Sequence, residues 1–153
     1  MDRIRGRKCR APARCFHNDR RKLRRHLGIL RGFHDAPHLH KKRLTILKPK
    51  IKGLPDDHRS KPRCLYELSR LSYSVGDQVG RKPLLIHALK LWRDQVSDRQ
   101  VSRTLIELSG ANRLLGLHEE GIQQAKEALG VYEQLGSAAG QADSLTKLAW
   151  LLY

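Results

Sequence analysis

An all-α fold of stacked helical hairpins is predicted by three features of residues 63–153: a self-match at an offset of 40, apolar residues at helical spacing, and glycines at helix ends. Sliding the sequence by 40 sets Arg63 on Arg103, Leu65 on Leu105, Glu67 on Glu107, Leu68 on Leu108 and Ser69 on Ser109. The same shift sets Gly76 on Gly116, Ala88 on Ala128, Leu89 on Leu129 and Trp92 on Tyr132. A further step carries Leu105 to Leu145, Leu108 to Leu148 and Ser109 to Ala149. Core-type, turn-type and small residues move together, as expected of structural units that bury their apolar faces only by stacking.

The first unit, 63–97, reads as two helices. Leu65, Leu68, Leu71 and Val75 recur at helical spacing, a Gly76-Asp77 turn follows, and Leu84, Leu85, Ala88, Leu91 and Trp92 mark the trailing helix. Pro83 lacks the N–H that a helix interior uses, so this helix is expected to begin around Arg81 or to kink there. In the second unit, 98–137, the leading helix carries Val101, Leu105, Leu108, Asn112 and Leu115 on one face, with Ser97 or Asp98 as its cap. Gly116 is placed to end it in the left-handed conformation, and the chain reverses through Leu117 and His118. Ile122, Ala125, Leu129 and Tyr132 then form the trailing face, which ends near Gly136. Ser69, Ser109 and Ala149 in the leading helices, and Ala88 and Ala128 in the trailing ones, are small enough to let neighbouring helices approach closely.

The third unit, 138–153, holds a leading helix alone. Its inward face is expected to use Leu145, Leu148 and Leu152, leaving Trp150, Leu151 and Tyr153 with little cover. Exposed apolar patches of this kind mark interfaces, so end-to-end self-association or the docking of further repeats is expected there. Upstream, residues 23–62 read as a degenerate hairpin followed by a loop. At an offset of 85, Leu23 meets Leu108, Leu44 meets Leu129, Ile46 meets Val131 and Leu47 meets Tyr132, while Arg24 and Arg43 replace the small residues.

The pattern resembles the tetratricopeptide repeat in a 40-residue form, and is especially similar to the repeats appended to large fungal signalling proteins of the nucleotide-binding receptor type. The residues that carry the resemblance are Leu108-Ser109, Leu115-Gly116, Glu120-Gly121, Ala128-Leu129, Tyr132 and the run Leu148-Ala149-Trp150-Leu151-Leu152-Tyr153. Gly121 departs from the alanine usual in the family, and Arg81 occupies the same place in the first unit. The resemblance implies a short right-handed solenoid whose leading helices line a concave groove for a peptide or partner helix. By equivalence that groove would present Arg63, Tyr66, Arg70 and Tyr73 from the first unit, Arg103, Ile106 and Arg113 from the second, and Asp143, Thr146 and Trp150 from the third. Four arginines suit an acidic or C-terminal carboxylate ligand, because guanidinium grips carboxylate through two parallel hydrogen bonds. The bland alternative is that they only solvate the face. A protein-binding scaffold without a cofactor is therefore the expected function.

Charge divides the chain. Residues 1–63 hold 21 Lys+Arg against 5 Asp+Glu, and residues 64–153 hold 10 of each, so the net +16 lies wholly in the first part. Residues 1–22 are expected to form a disordered basic arm, since they lack apolar periodicity to offset the entropy of ordering. Arg20, Arg21, Lys22, Arg24 and Arg25 have the composition of a nucleic-acid contact or a nuclear-import signal, which makes a nucleic-acid-binding accessory protein the alternative function. Phe16 is the arm's one aromatic, so base stacking has little support. A plain solvated tail, or the interior of a longer protein, explains the same composition.

Cys9, Cys15 and Cys64 are too few for a disulfide framework and imply a reducing compartment, cytoplasmic or nuclear. Cys9, Cys15, His17 and His26, or His34, His38 and His40, are candidate zinc ligands by type, but the five residues between Cys9 and Cys15 exceed the usual two to four. Phosphate-binding loops, metalloprotease His pairs and nucleophile elbows do not occur, so no enzyme is expected. No apolar run reaches the roughly 18 residues of a membrane span.

Overall fold

The computed structural model describes residues 37–153, with side chains from Leu39 onward. Six α-helices and no strand occur among them: α1 (Pro37–Lys52), α2 (Lys61–Ser74), α3 (Gln78–Asp94), α4 (Asp98–Leu114), α5 (His118–Gln134) and α6 (Ala138–Leu152). Each packs on the next along the chain, and α4 also touches α6. The core joins Leu85 and Leu89 of α3, Val101, Leu105, Ile106, Leu108 and Ala111 of α4, and Ala128 and Tyr132 of α5, with Tyr66 and Trp92 at its margin. Of the predicted small positions, Ser69, Ala88, Ser109 and Ala128 are fully buried, as close helix approach requires, whereas Ala149 is exposed.

The backbone repeats twice as often as the side chains. Helices α3 to α6 begin at Gln78, Asp98, His118 and Ala138, at steps of 20. Each is preceded by a left-handed residue: Gly76 (φ 78°), Val96 (φ 50°), Gly116 (φ 75°) and Gly136 (φ 62°). The next residue donates its N–H five residues back in every case, Asp77 to Ser72, Ser97 to Trp92, Leu117 to Asn112 and Ser137 to Tyr132. This bond satisfies an orphan carbonyl in the last helical turn and reverses the chain in three residues. Leading and trailing helices carry different side-chain patterns, so sequence matching detects only the 40-residue period.

Val96 is the irregular member. A β-branched side chain at positive φ crowds the following carbonyl, at about 1–2 kcal/mol for L-residues. Val96→Gly should therefore raise the stability of the folded chain by about that amount, less the added freedom of glycine in the unfolded state. Urea unfolding checks it; a destabilised variant would mean that this turn does not need the left-handed conformation.

Several local expectations change. Helix α3 begins at Gln78, three residues before the predicted Arg81, with Pro83 inside its second turn. Asp77 makes this possible by accepting from the Gly80 N–H at 2.7 Å, which anchors the first turn ahead of the proline. Ser97 stands at the N-cap of α4 but its side chain makes no capping bond. Within the stretch read as an upstream hairpin, residues 37–52 form one helix, with Leu47 and Ile51 buried; residues 23–36 of that stretch lie outside the described residues. The loop after it is tied down by Lys61, only 4% exposed, whose ammonium donates to the Leu54 carbonyl and to Asp56.

Helix α6 buries a different face from the one predicted. Ser144 and Leu151 are buried and Leu148 half-buried, whereas Leu145 is 55% and Leu152 64% exposed. The reason is the neighbour each face meets. Asn112 donates to Gln124 of α5 at 2.8 Å, and a Cβ on Gly121 of α5 would lie 3.2 Å from the Ser109 carbonyl oxygen. The Ser109 and Asn112 side of α4 thus faces the helix that follows. Ala149 and Leu152 hold the matching places on α6, where no following helix is described. The opposite side packs backward: the Leu151 side chain fills the space above Gly121, where a Cβ would come within 2.9 Å of it. That contact favours glycine at position 121, since an added side chain would have to displace Leu151. In the first unit the sizes are exchanged, with Arg81 at the Gly121 position and Ala111 at the Leu151 position.

Candidate functional site: a groove beside the leading helices

Residues from four helices meet in one concavity of about 310 Å³. Tyr66 of α2, Arg99, Arg103, Ile106 and Glu107 of α4, Tyr132 of α5, Ser137 of the turn, and Ala139, Gly140 and Asp143 of α6 form its walls. Helical spacing produces the arrangement: Arg99, Arg103 and Glu107 occupy successive turns of α4. Ser137 accepts the Gly140 N–H at 3.3 Å and so fixes the start of α6 at the groove's edge. Gly140 is required there, because a Cβ would lie 2.2 Å from the Tyr132 ring.

Four predicted groove residues, Tyr66, Arg103, Ile106 and Asp143, are brought together. Ile106 shows little of itself; it is 4% exposed and belongs to the core, so packing rather than ligand contact sets its identity. Arg113 and Trp150 instead line a separate concavity of about 420 Å³ with Ala149 and Tyr153, where Arg113 lies 5.6 Å from the Trp150 ring centre and Lys147 4.6 Å. Tyr73 is 55% exposed beneath the Arg81 guanidinium, which lies 4.7 Å from its ring centre. Arg70 pairs with Glu67 at 3.6 Å, Arg63 is exposed on α2, and the exposed Thr146 donates to the Ala142 carbonyl at 2.8 Å.

Arg99, Glu107, Tyr132, Ser137, Ala139 and Gly140 were not anticipated. Glu107 carried a signal, since it matches Glu67 at the repeat offset. Tyr132 and Gly140 carried none, because their contact spans two units. Electrostatics centre on Tyr66, whose hydroxyl is pushed up to about 12 by burial and by the Glu107 charge, with Arg103 and Arg70 opposing. It stays protonated at neutral pH and offers a hydrogen-bond donor. Cys64, buried in α2, is pushed up to about 11 by burial, so it packs as a thiol rather than reacting as a thiolate.

The five arm residues Arg20, Arg21, Lys22, Arg24 and Arg25, and Cys9, Cys15, His17, His26 and His34, lie outside the described residues. Among the described residues, no group of three or more His, Cys, Asp or Glu could hold a metal ion, and no helix is long and apolar enough to cross a membrane. No protein-family model and no curated protein matches the chain.

Proposed function

We propose that this chain is a tetratricopeptide-type helical solenoid that binds an acidic peptide or partner helix in the groove beside α2, α4 and α6. One observation carries the reading: side chains from all three leading helices converge on a single concavity. Two of them, Arg99 and Arg103, are exposed guanidiniums one turn apart. Two such groups on one helix face can each grip a carboxylate, and the rings of Tyr66 and Tyr132 supply apolar wall between polar contacts. Glu107, the nearer acid, is occupied by Arg81, which leaves Asp143 as the opposing charge.

A fluorescein-labelled, capped tetraglutamate peptide is a suitable probe. It should bind the wild-type chain, and reversing both charges with Arg99→Glu and Arg103→Glu should weaken binding by roughly tenfold or more, given what charge-assisted hydrogen bonds contribute. Lys126→Glu, at an exposed position on α5, should leave it unchanged. Equal binding by the double reversal and the wild type, measured by anisotropy, would remove the groove from consideration.

A further inference from the structure

Arg81 is a charged side chain only 3% exposed, at a place where the second unit has glycine. It donates from Nη2 to Glu107 Oε2 across the α3–α4 contact, and from Nη1 to Gln78 Oε1 at 3.3 Å. A guanidinium this buried is tolerated only when paired, so Glu107 is its necessary partner. Yet Glu107 has a second basic neighbour within reach. Arg103 precedes it by four residues on α4, the spacing at which side chains on adjacent helical turns meet. By that spacing Glu107 can pair with either guanidinium, and it pairs with Arg81. Arg103 makes no ion pair with the described residues and lies with its guanidinium 6.0 Å from the Tyr66 ring centre, at the groove wall.

We infer that Arg81 is a positioning residue that sets the groove's charge preference: by holding Glu107 it keeps Arg103 available to an acidic ligand. Arg81 is not part of the groove lining; of its contacts, with Glu107, Gln78 and Tyr73, only Glu107 lines the groove. Without it, Glu107 would turn to Arg103, and the groove would lose one of its two exposed cations to a neutral pair, keeping Arg99. The inference rests on the acidic-ligand reading above.

The test compares tetraglutamate binding by wild type, Arg81→Gln and the double variant Arg81→Gln, Glu107→Gln. Arg81→Gln should bind roughly tenfold more weakly, the loss expected when a charged hydrogen-bonding group is withdrawn. The double variant should recover wild-type affinity, because the competing carboxylate is gone. A merely structural role for Arg81 would not move the Arg103 side-chain N–H, which in Arg81→Gln should become protected as it pairs with Glu107. In the wild type itself, nitrogen-15 spectra should show the Arg81 side-chain N–H protected from solvent exchange and that of Arg103 exchanging freely. This measurement stands even if Arg81→Gln fails to fold. Failure of the wild type to bind tetraglutamate would overturn the acidic-ligand reading and this inference together. Wild-type binding with an unaffected Arg81→Gln, a double variant as weak as the single one, or an Arg103 protected in the wild type would overturn the inference alone.

Discussion

Truncating Leu108 to alanine should destabilise the chain by about 2–5 kcal/mol, the range for buried leucines whose cavity the surroundings cannot close. Leu108 is 2% exposed at the centre of the α3–α4–α5 core, with rigid helices on either side. Close packing leaves no mobile group to refill the space, so both the lost transfer energy and the cavity count against the variant. Arg103→Ala, five residues earlier on the same helix but exposed, should stay within ~0.5 kcal/mol. Urea unfolding of the two variants beside wild type decides the matter. Comparable losses at both positions would mean that α4 is rotated from the orientation described.

Gly140→Ala is the other large effect, and its sign is opposite to what helix propensity alone predicts. Inside a helix, glycine to alanine ordinarily adds about 0.5–1 kcal/mol. At Gly140 the new Cβ would sit 2.2 to 2.4 Å from three carbon atoms of the Tyr132 ring, and Tyr132 is buried. Forcing such a ring aside costs about 1–3 kcal/mol, so steric exclusion wins. Gly110 in α4 and Gly130 in α5 have nothing within 4 Å of an added Cβ. Alanine at either should stabilise by the ordinary increment. Denaturant midpoints for the three variants should fall on both sides of wild type. A stabilised Gly140→Ala would show that the Tyr132 ring is not seated on α6, and would remove one wall of the groove.

Much of the architecture was legible because it repeats. The 40-residue self-match places α2 and α4 in register and marks Leu65, Leu68, Leu105 and Leu108 as core, where the structure buries them. Gly76 and Gly116 announced their turns because few residues but glycine adopt positive φ without strain. Val96 hid the turn between α3 and α4 for the same reason: a residue that avoids this conformation occupies it. The groove was legible only in outline. Equivalence assigned side chains to faces one helix at a time, and so included Arg63, Arg70, Tyr73, Arg113, Thr146 and Trp150, which lie outside the concavity. It omitted Tyr132 and Gly140, whose proximity arises between units.

What the sequence determined by itself is therefore local and periodic: helix content, the places of the turns and the apolar stripes, each set by short-range backbone preferences and side-chain spacing. The neighbour that each stripe meets is set instead by how the helices pack against one another. Leu105 is buried and its repeat-mate Leu145 exposed, although both are leucines at equivalent places in equivalent helices. The difference is α5, which follows α4 and covers its outer side, while no described helix follows α6. The fate of Glu107 has the same origin, since Arg103 lies within its own helix and Arg81 comes from another. Burial and pairing belong to contacts between helices, and a one-dimensional repeat specifies the faces without specifying what lies against them.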